Sequence, residues 1–157
     1  MTKFKIIRWA LKLFISCQLL NIVTLICVAY EIHYDISIPS VPVHLLCFNA
    51  LLSGLFTVGL YFIHQSCNMF LIRGYFNLKS ALYLNRGGYI LMAVTLLSLI
   101  KTCIYINPTK ALALLINDFG SSIIYDIMFL IVGLSLVALS DIIKEGEIIK
   151  TENDLTL

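Results

Sequence analysis

The chain has 157 residues, 60% of them apolar and 13% charged, against about 25% charged in an ordinary soluble domain, and its mean hydropathy is +0.95. A soluble domain of this length has no interior large enough to hide that much apolar surface. The net charge of +2 argues against direct nucleic-acid binding, which needs clustered Lys and Arg that displace counterions from phosphate.

Crossing a hydrocarbon core takes about 20 apolar residues, and the sequence offers four such segments. The first spans 13–30, which contains no Asp, Glu, Lys or Arg, and the second spans 43–63, inside an uncharged stretch over 36–72. The third and fourth have uncharged cores at 87–100 and 127–140, each too short to cross alone, because Lys101 and Asp126 interrupt them. Extended through those residues they become 88–107 and 121–140. A charged residue costs about 2.5–3.5 kcal/mol at the centre of a span and less near its end, which a dozen Leu, Ile, Val, Met and Phe offset. The expected fold is therefore all-α: a single membrane domain over 1–157, built as an integral membrane four-helix bundle.

The basic residues set its orientation. Lys3, Lys5, Arg8 and Lys12 precede the first span, Arg73, Lys79 and Arg86 lie between the second and third, and Lys144 and Lys150 follow the fourth. Lys110 alone falls in a loop on the other side. Positive charge is retained in the cytoplasm, so both termini, the loop 64–87 and the tail 141–157 are expected inside, with 31–42 and 108–120 outside. Tyr30, Tyr105 and Tyr125 then fall together at the outer interface as an aromatic belt. The basic start before an apolar run also has the outline of a secretory signal. The run is long for that purpose, no small-x-small cleavage site follows, and Ile26 before Cys27 is too large for a lipoprotein site, so an uncleaved first span is expected.

Ionisable residues inside a membrane are costly and face a partner or a polar cavity, which singles out Lys101 and Asp126. Lys101 is six residues from Asn107 and Asp126 five from Ser121, so at about 1.5 Å per residue both sit about 8–9 Å below the outer ends of their spans. Adjacent antiparallel spans bring them level, in the simplest reading as a structural ion pair or as two side chains that snorkel separately to the nearby outer interface, and in the functional one as a proton or ion relay. The remaining intramembrane polar residues, Gln18, Asn21, Thr24 and Asn49, read as interhelical hydrogen bonds. Ala50, Gly54, Gly59, Gly133 and Ala138 are small enough to let helices approach closely.

Cys17, Cys27, Cys47, Cys67 and Cys103 form no C-x-x-C pair. An odd, widely spaced set suits neither a disulfide framework nor a zinc site, and a thiol redox enzyme using Cys27, Cys47 and Cys103 would need a reactive pair. His33, Asp35 and His44 make a weak metal set, the third ligand lying eleven residues from the first across two prolines. No phosphate loop, nucleophile with its base or carboxylate pair is present. No catalytic residue, cofactor or metal is expected.

Two cytoplasmic segments are patterned. Asn77 can cap a short amphipathic helix through Leu78, Lys79, Ala81, Leu82, Leu84 and Arg86, which meets Gly87 and Gly88 where the third span begins. The tail continues the fourth span and ends Glu152-Asn-Asp-Leu-Thr-Leu157; its simplest reading is a solvated helical end that frays.

Gly74, Phe76, Leu84 and Gly88 before the third span, together with the Glu152–Leu157 ending, resemble the bacterial four-span membrane family catalogued as domain of unknown function twenty-nine seventy-five. Leu157 stands where that family more often has Ile, and Tyr75 and Tyr83 are not expected features. The family has no established activity. The resemblance implies the bacterial inner membrane and a small helix-turn-helix regulator encoded nearby.

The functional expectation is a non-enzymatic regulatory or scaffold component. Its cytoplasmic loop and tail, with Glu152, Asp154, Leu155 and Thr156 foremost, contact such a regulator or another membrane subunit, and a homo-oligomer is compatible with this. The alternatives are a small transporter or permease component with Lys101 and Asp126 on its path, and a thiol redox membrane enzyme.

Overall fold

The computed structural model describes residues 2–34, 43–74, 77–104 and 112–156. Among the described residues only Gly74 and Asn77 lie outside helices. The helices are α1 (Thr2–Tyr34), α2 (Val43–Arg73), α3 (Leu78–Ile104) and α4 (Leu112–Thr156). In lipid, backbone N–H and C=O groups find no water and must be satisfied within the segment, so apolar spans fold as helices.

Each of the four is long and apolar enough to cross a membrane. In α1, Leu13 and Leu20 are both 67% exposed. Such outward-facing side chains would form a large apolar patch in water and are the ordinary surface of a helix facing acyl chains. The chain is a multi-pass membrane protein.

Chain neighbours run antiparallel. Arg8 reaches Asn68 and Asn21 reaches Ser53 between α1 and α2, Lys101 reaches Asn49 and Ser66 reaches Ser80 between α2 and α3, and Gly88 meets Gly133 between α3 and α4. The start of α1 and the end of α4 therefore share one end of the molecule. Packing follows chain order, α1 on α2, α2 on α3 and α3 on α4. Rather than closing into a ring of four, the described helices form a curved row with α1 and α4 as its free edges.

Glycines at α3 hold this row together. Gly87 turns toward α2, where a Cβ would lie 3.1 Å from the Gly59 carbonyl oxygen; Gly88 turns toward α4, where a Cβ would lie 2.8 Å from the Gly133 carbonyl oxygen. Small residues permit such approach, and membrane helices associate through it because lipid gives apolar side chains no reason to leave it. Beside this crossing, Ala81, Leu84 and Ile143 form a buried cluster, with Phe70 and Leu136 against it. Of the small residues expected to pack, Gly59 and Gly133 do so, whereas a Cβ on Gly54 would meet no atom of another element within 4 Å among the described residues, and Ala138 is exposed.

The segment expected as the loop 64–87 consists of the last turns of α2, a short connection and the first turns of α3. Gly74 ends α2 with φ +88° and donates its N–H to the Phe70 carbonyl at 3.2 Å, the left-handed C-terminal cap that glycine adopts without a Cβ penalty. Asn77 caps α3, its Oδ1 accepting from Lys79 N–H at 2.8 Å, as the sequence leads one to expect. The short helix expected before the third span is not a separate element: α3 runs unbroken through Gly87 and Gly88, because those glycines are needed for interhelical contact rather than for a bend. The tail, expected to fray, is helical through Thr156, since nothing between Ser140 and Thr156 breaks a helix except Gly146, which one turn tolerates.

Candidate functional site

The concave side of the row holds a pocket of about 450 Å³ to which all four helices contribute. α2 and α3 form its back, and α1 and α4 its two sides. Lys101 and Asp126 both line it, so the structure brings together the two charges that the spacing put at one level.

They are joined indirectly. The Lys101 ammonium donates to Asn49 Oδ1 at 3.0 Å, a bond between α3 and α2. Asp126 reaches the pocket from α4 with the Ser98 hydroxyl and the Lys101 charge acting on it, and its Oδ2 is buried without a hydrogen-bond partner. The expected direct Lys101–Asp126 ion pair is not formed; among the described residues the ion pair is Lys144 with Asp141 at 2.7 Å, one helical turn apart on the exposed part of α4. Lys101 is instead bonded to the Asn49 amide of α2, while Asp126 of α4 has the Ser98 hydroxyl of α3 beside it.

A second polar step lies deeper. Asn21 Nδ2 donates to Ser53 Oγ at 3.4 Å and Ser53 Oγ donates to Gln18 Oε1 at 3.2 Å, which joins α1 to α2. Gln18, Asn21 and Asn49 thus make the interhelical bonds expected of them. Thr24 instead donates within α1, to the Asn21 carbonyl at 2.8 Å, an internal option always open to a helical Thr.

Aromatic rings line the pocket beyond these amides. Phe56 of α2 lies 5.4 Å from Phe129 of α4, edge to face, and 6.5 Å from Phe14 of α1. Edge-to-face rings at such separations attract each other beyond simple area burial, and Phe56 thereby links the two free edges of the row. The result is graded: two charges and an amide at one end, amides and a hydroxyl in the middle, three phenyl rings at the other end.

Another polar cluster, not singled out by the sequence, lies where α1 begins and α2 ends. Arg8 Nη1 donates to Asn68 Oδ1 at 3.4 Å, and Asn68 Nδ2 is 3.5 Å from His64 Nδ1. Lys12 lies over the Trp9 ring at 5.7 Å. Here the available signal was the i, i+4 spacing of His64 and Asn68, which puts both on one face of α2.

The other candidate residues are spread out. Gly74 is a cap, Leu84 is in the core at 3% exposure, and Gly88 is a packing glycine. Glu152, Asp154 and Leu155 are exposed near the end of α4. Phe76, Tyr105, Asp35 and the side chains of His33 and Thr156 lie outside the described residues. No group of three metal-ligating side chains occurs among the described residues, and all five cysteines are free, with Cys67 buried and the other four exposed.

Comparison of the chain with models of protein families, with curated proteins and with solved structures yields no match.

Proposed function

We propose that this protein is a non-enzymatic regulatory or scaffold component of a bacterial inner membrane, with both termini in the cytoplasm, whose tail helix contacts a partner. The observation that supports this reading is the length of α4. At 45 residues it is about 67 Å long, while a hydrocarbon core is about 30 Å thick, so a continuous helix projects well beyond any single crossing. The projecting end carries Ile148, Ile149 and Leu155 exposed, interleaved with Lys150, Glu152 and Asp154. Apolar residues interleaved with charge on a projecting helix suit an interhelical contact, and a small helix-turn-helix regulator encoded beside the gene is the partner to which the tail motif points.

The test is deletion of Thr151–Leu157, followed by co-purification with that regulator from solubilised membranes. Loss of the regulator with the membrane protein intact is the expected result; undiminished recovery would remove the reading.

A second reading, a small transporter or permease component, is favoured by one observation: Lys101 and Asp126 line one pocket that all four helices share. In reconstituted vesicles the paired change Lys101→Met with Asp126→Leu should abolish solute uptake while the protein remains folded. Uptake that persists in the pair would exclude a path through these residues.

A further inference from the structure

The pocket has a chemical polarity of its own. At one end lie an ammonium and a carboxylate of opposite charge, Lys101 and Asp126, and at the other the phenyl rings of Phe14, Phe56 and Phe129. The ammonium has three N–H donors, and among the described residues one of them is taken by Asn49. The carboxylate has the Ser98 hydroxyl as one hydrogen-bond partner, but its buried Oδ2 accepts from no group among the described residues, and such an atom in a low-dielectric surrounding is costly until a donor reaches it.

These two unmet requirements are complementary. A group that donates N–H satisfies Asp126, and an anionic group satisfies the remaining donors of Lys101. A bare cation answers only the first and meets the Lys101 charge; a bare anion answers only the second and meets the Asp126 charge. A molecule carrying both charges answers both at no net cost in charge. The volume of about 450 Å³ falls within the range of small-molecule sites, about 300–1,000 Å³, and the phenyl end suits an apolar substituent.

We infer that this pocket binds a small zwitterion with a primary ammonium, an anionic group and an apolar substituent: the ammonium on Asp126, the anion on Lys101 and Asn49, and the apolar part on the phenyl rings. An apolar amino acid and the headgroup of a phosphatidylethanolamine share this chemistry. The inference deepens the permease reading by naming its substrate class, but it rests on binding and requires no flux.

The experiment uses the full chain in nanodiscs of phosphatidylcholine, whose quaternary ammonium has no N–H to offer. Titration calorimetry compares L-leucine, leucinamide, which lacks the anion, and isocaproate, which lacks the ammonium. Leucine is expected to bind saturably and each analogue about tenfold or more weakly, as loss of a hydrogen bond to a charged group implies. Asp126→Asn and Lys101→Met should weaken leucine by a similar factor, with helicity checked by circular dichroism; the three-ligand comparison on the unaltered protein stands even if a variant fails to fold. A lipid source shows itself differently: one phosphatidylethanolamine per protein retained from mixed discs in native mass spectrometry and lost in both variants. Either pattern supports the inference and identifies the source. Retention of neither leucine nor phosphatidylethanolamine, or equal binding of leucine and its two analogues, overturns it. Leucine binding without uptake in vesicles would remove the permease reading alone.

Discussion

Gly88 and Gly133 stand against each other across α3 and α4, each where a side chain would collide with the other's backbone: a Cβ on Gly88 would lie 2.8 Å from the Gly133 carbonyl oxygen, and one on Gly133 3.0 Å from that of Gly88. The obstruction is backbone, which cannot rotate aside as a side chain can. Gly88→Ala and Gly133→Ala are each expected to destabilise the protein by about 1–3 kcal/mol, the usual cost of overpacking. Gly54→Ala, with nothing within 4 Å, should be neutral or slightly stabilising, since Ala is the better helix former. Unfolding in mixed micelles with increasing dodecyl sulfate measures all three, and equal midpoints for Gly54→Ala and Gly88→Ala would contradict the close crossing.

The connection between α2 and α3 offers a second comparison. Gly74 has φ +88°, and left-handed backbone costs a residue with a Cβ about 1–2 kcal/mol. Gly74→Ala should destabilise the protein by that amount and lower the unfolding midpoint accordingly, although a Cβ there would meet nothing within 4 Å among the described residues. Asn77→Ala removes the acceptor of the Lys79 N–H and should cost about 1 kcal/mol, with Asn77→Ser recovering most of it. If Gly74→Ala were as stable as the unaltered protein, the cap would not be formed.

These elements differ in how far they can be read from sequence. Asn77 is a local signal, a side chain that caps the helix starting one residue later, and it is legible without tertiary information. The level of Lys101 with Asp126 is also legible, because helical rise converts residue counts into depth. Direction around the helix axis is not. Gly54 and Gly59 are equally small and five residues apart, yet one faces open space and the other faces Gly87, a distinction set by which face of α2 meets α3. For the same reason Asn49 was recognisable as an interhelical donor or acceptor but not as the partner of Lys101. Hydropathy also marks where a lipid core ends, not where a helix ends, which is why α1 starts at Thr2 and α4 continues to Thr156 beyond the segments that composition outlines.

The pair Lys101 and Asp126 makes a quantitative prediction independent of any ligand. Lys101→Met leaves the Asp126 carboxylate without the nearby positive charge, and Asp126→Leu leaves Lys101 without its counter-charge. Each single change should destabilise, because removing one charge strands the other in a low-dielectric site. Changing both removes the problem with the pair, so the double variant should be more stable than the sum of the singles implies, by roughly 0.5–3 kcal/mol. A double-mutant cycle on unfolding midpoints gives the coupling directly. Zero coupling would mean that the two groups reach the interface separately, as long side chains near a span end can.

Topology provides the last test. Nine of the eleven Lys and Arg residues fall before the first span, between the second and third, or after the fourth, and the antiparallel helices put the two chain ends together. Retention of positive charge in the cytoplasm then predicts that a green fluorescent protein fused after Leu157 fluoresces in intact bacteria, while alkaline phosphatase at the same point is inactive. The same reasoning places Cys27, Cys47 and Cys103 toward the opposite end from Cys67, so a membrane-impermeant maleimide applied outside should label a variant retaining Cys103 alone and spare one retaining Cys67 alone, whose thiol is also buried. Phosphatase activity from the C-terminal fusion would invert the orientation and turn the projecting end of α4 away from any cytoplasmic partner, whereas the packing and the pocket, which depend only on how the helices meet, would stand unchanged.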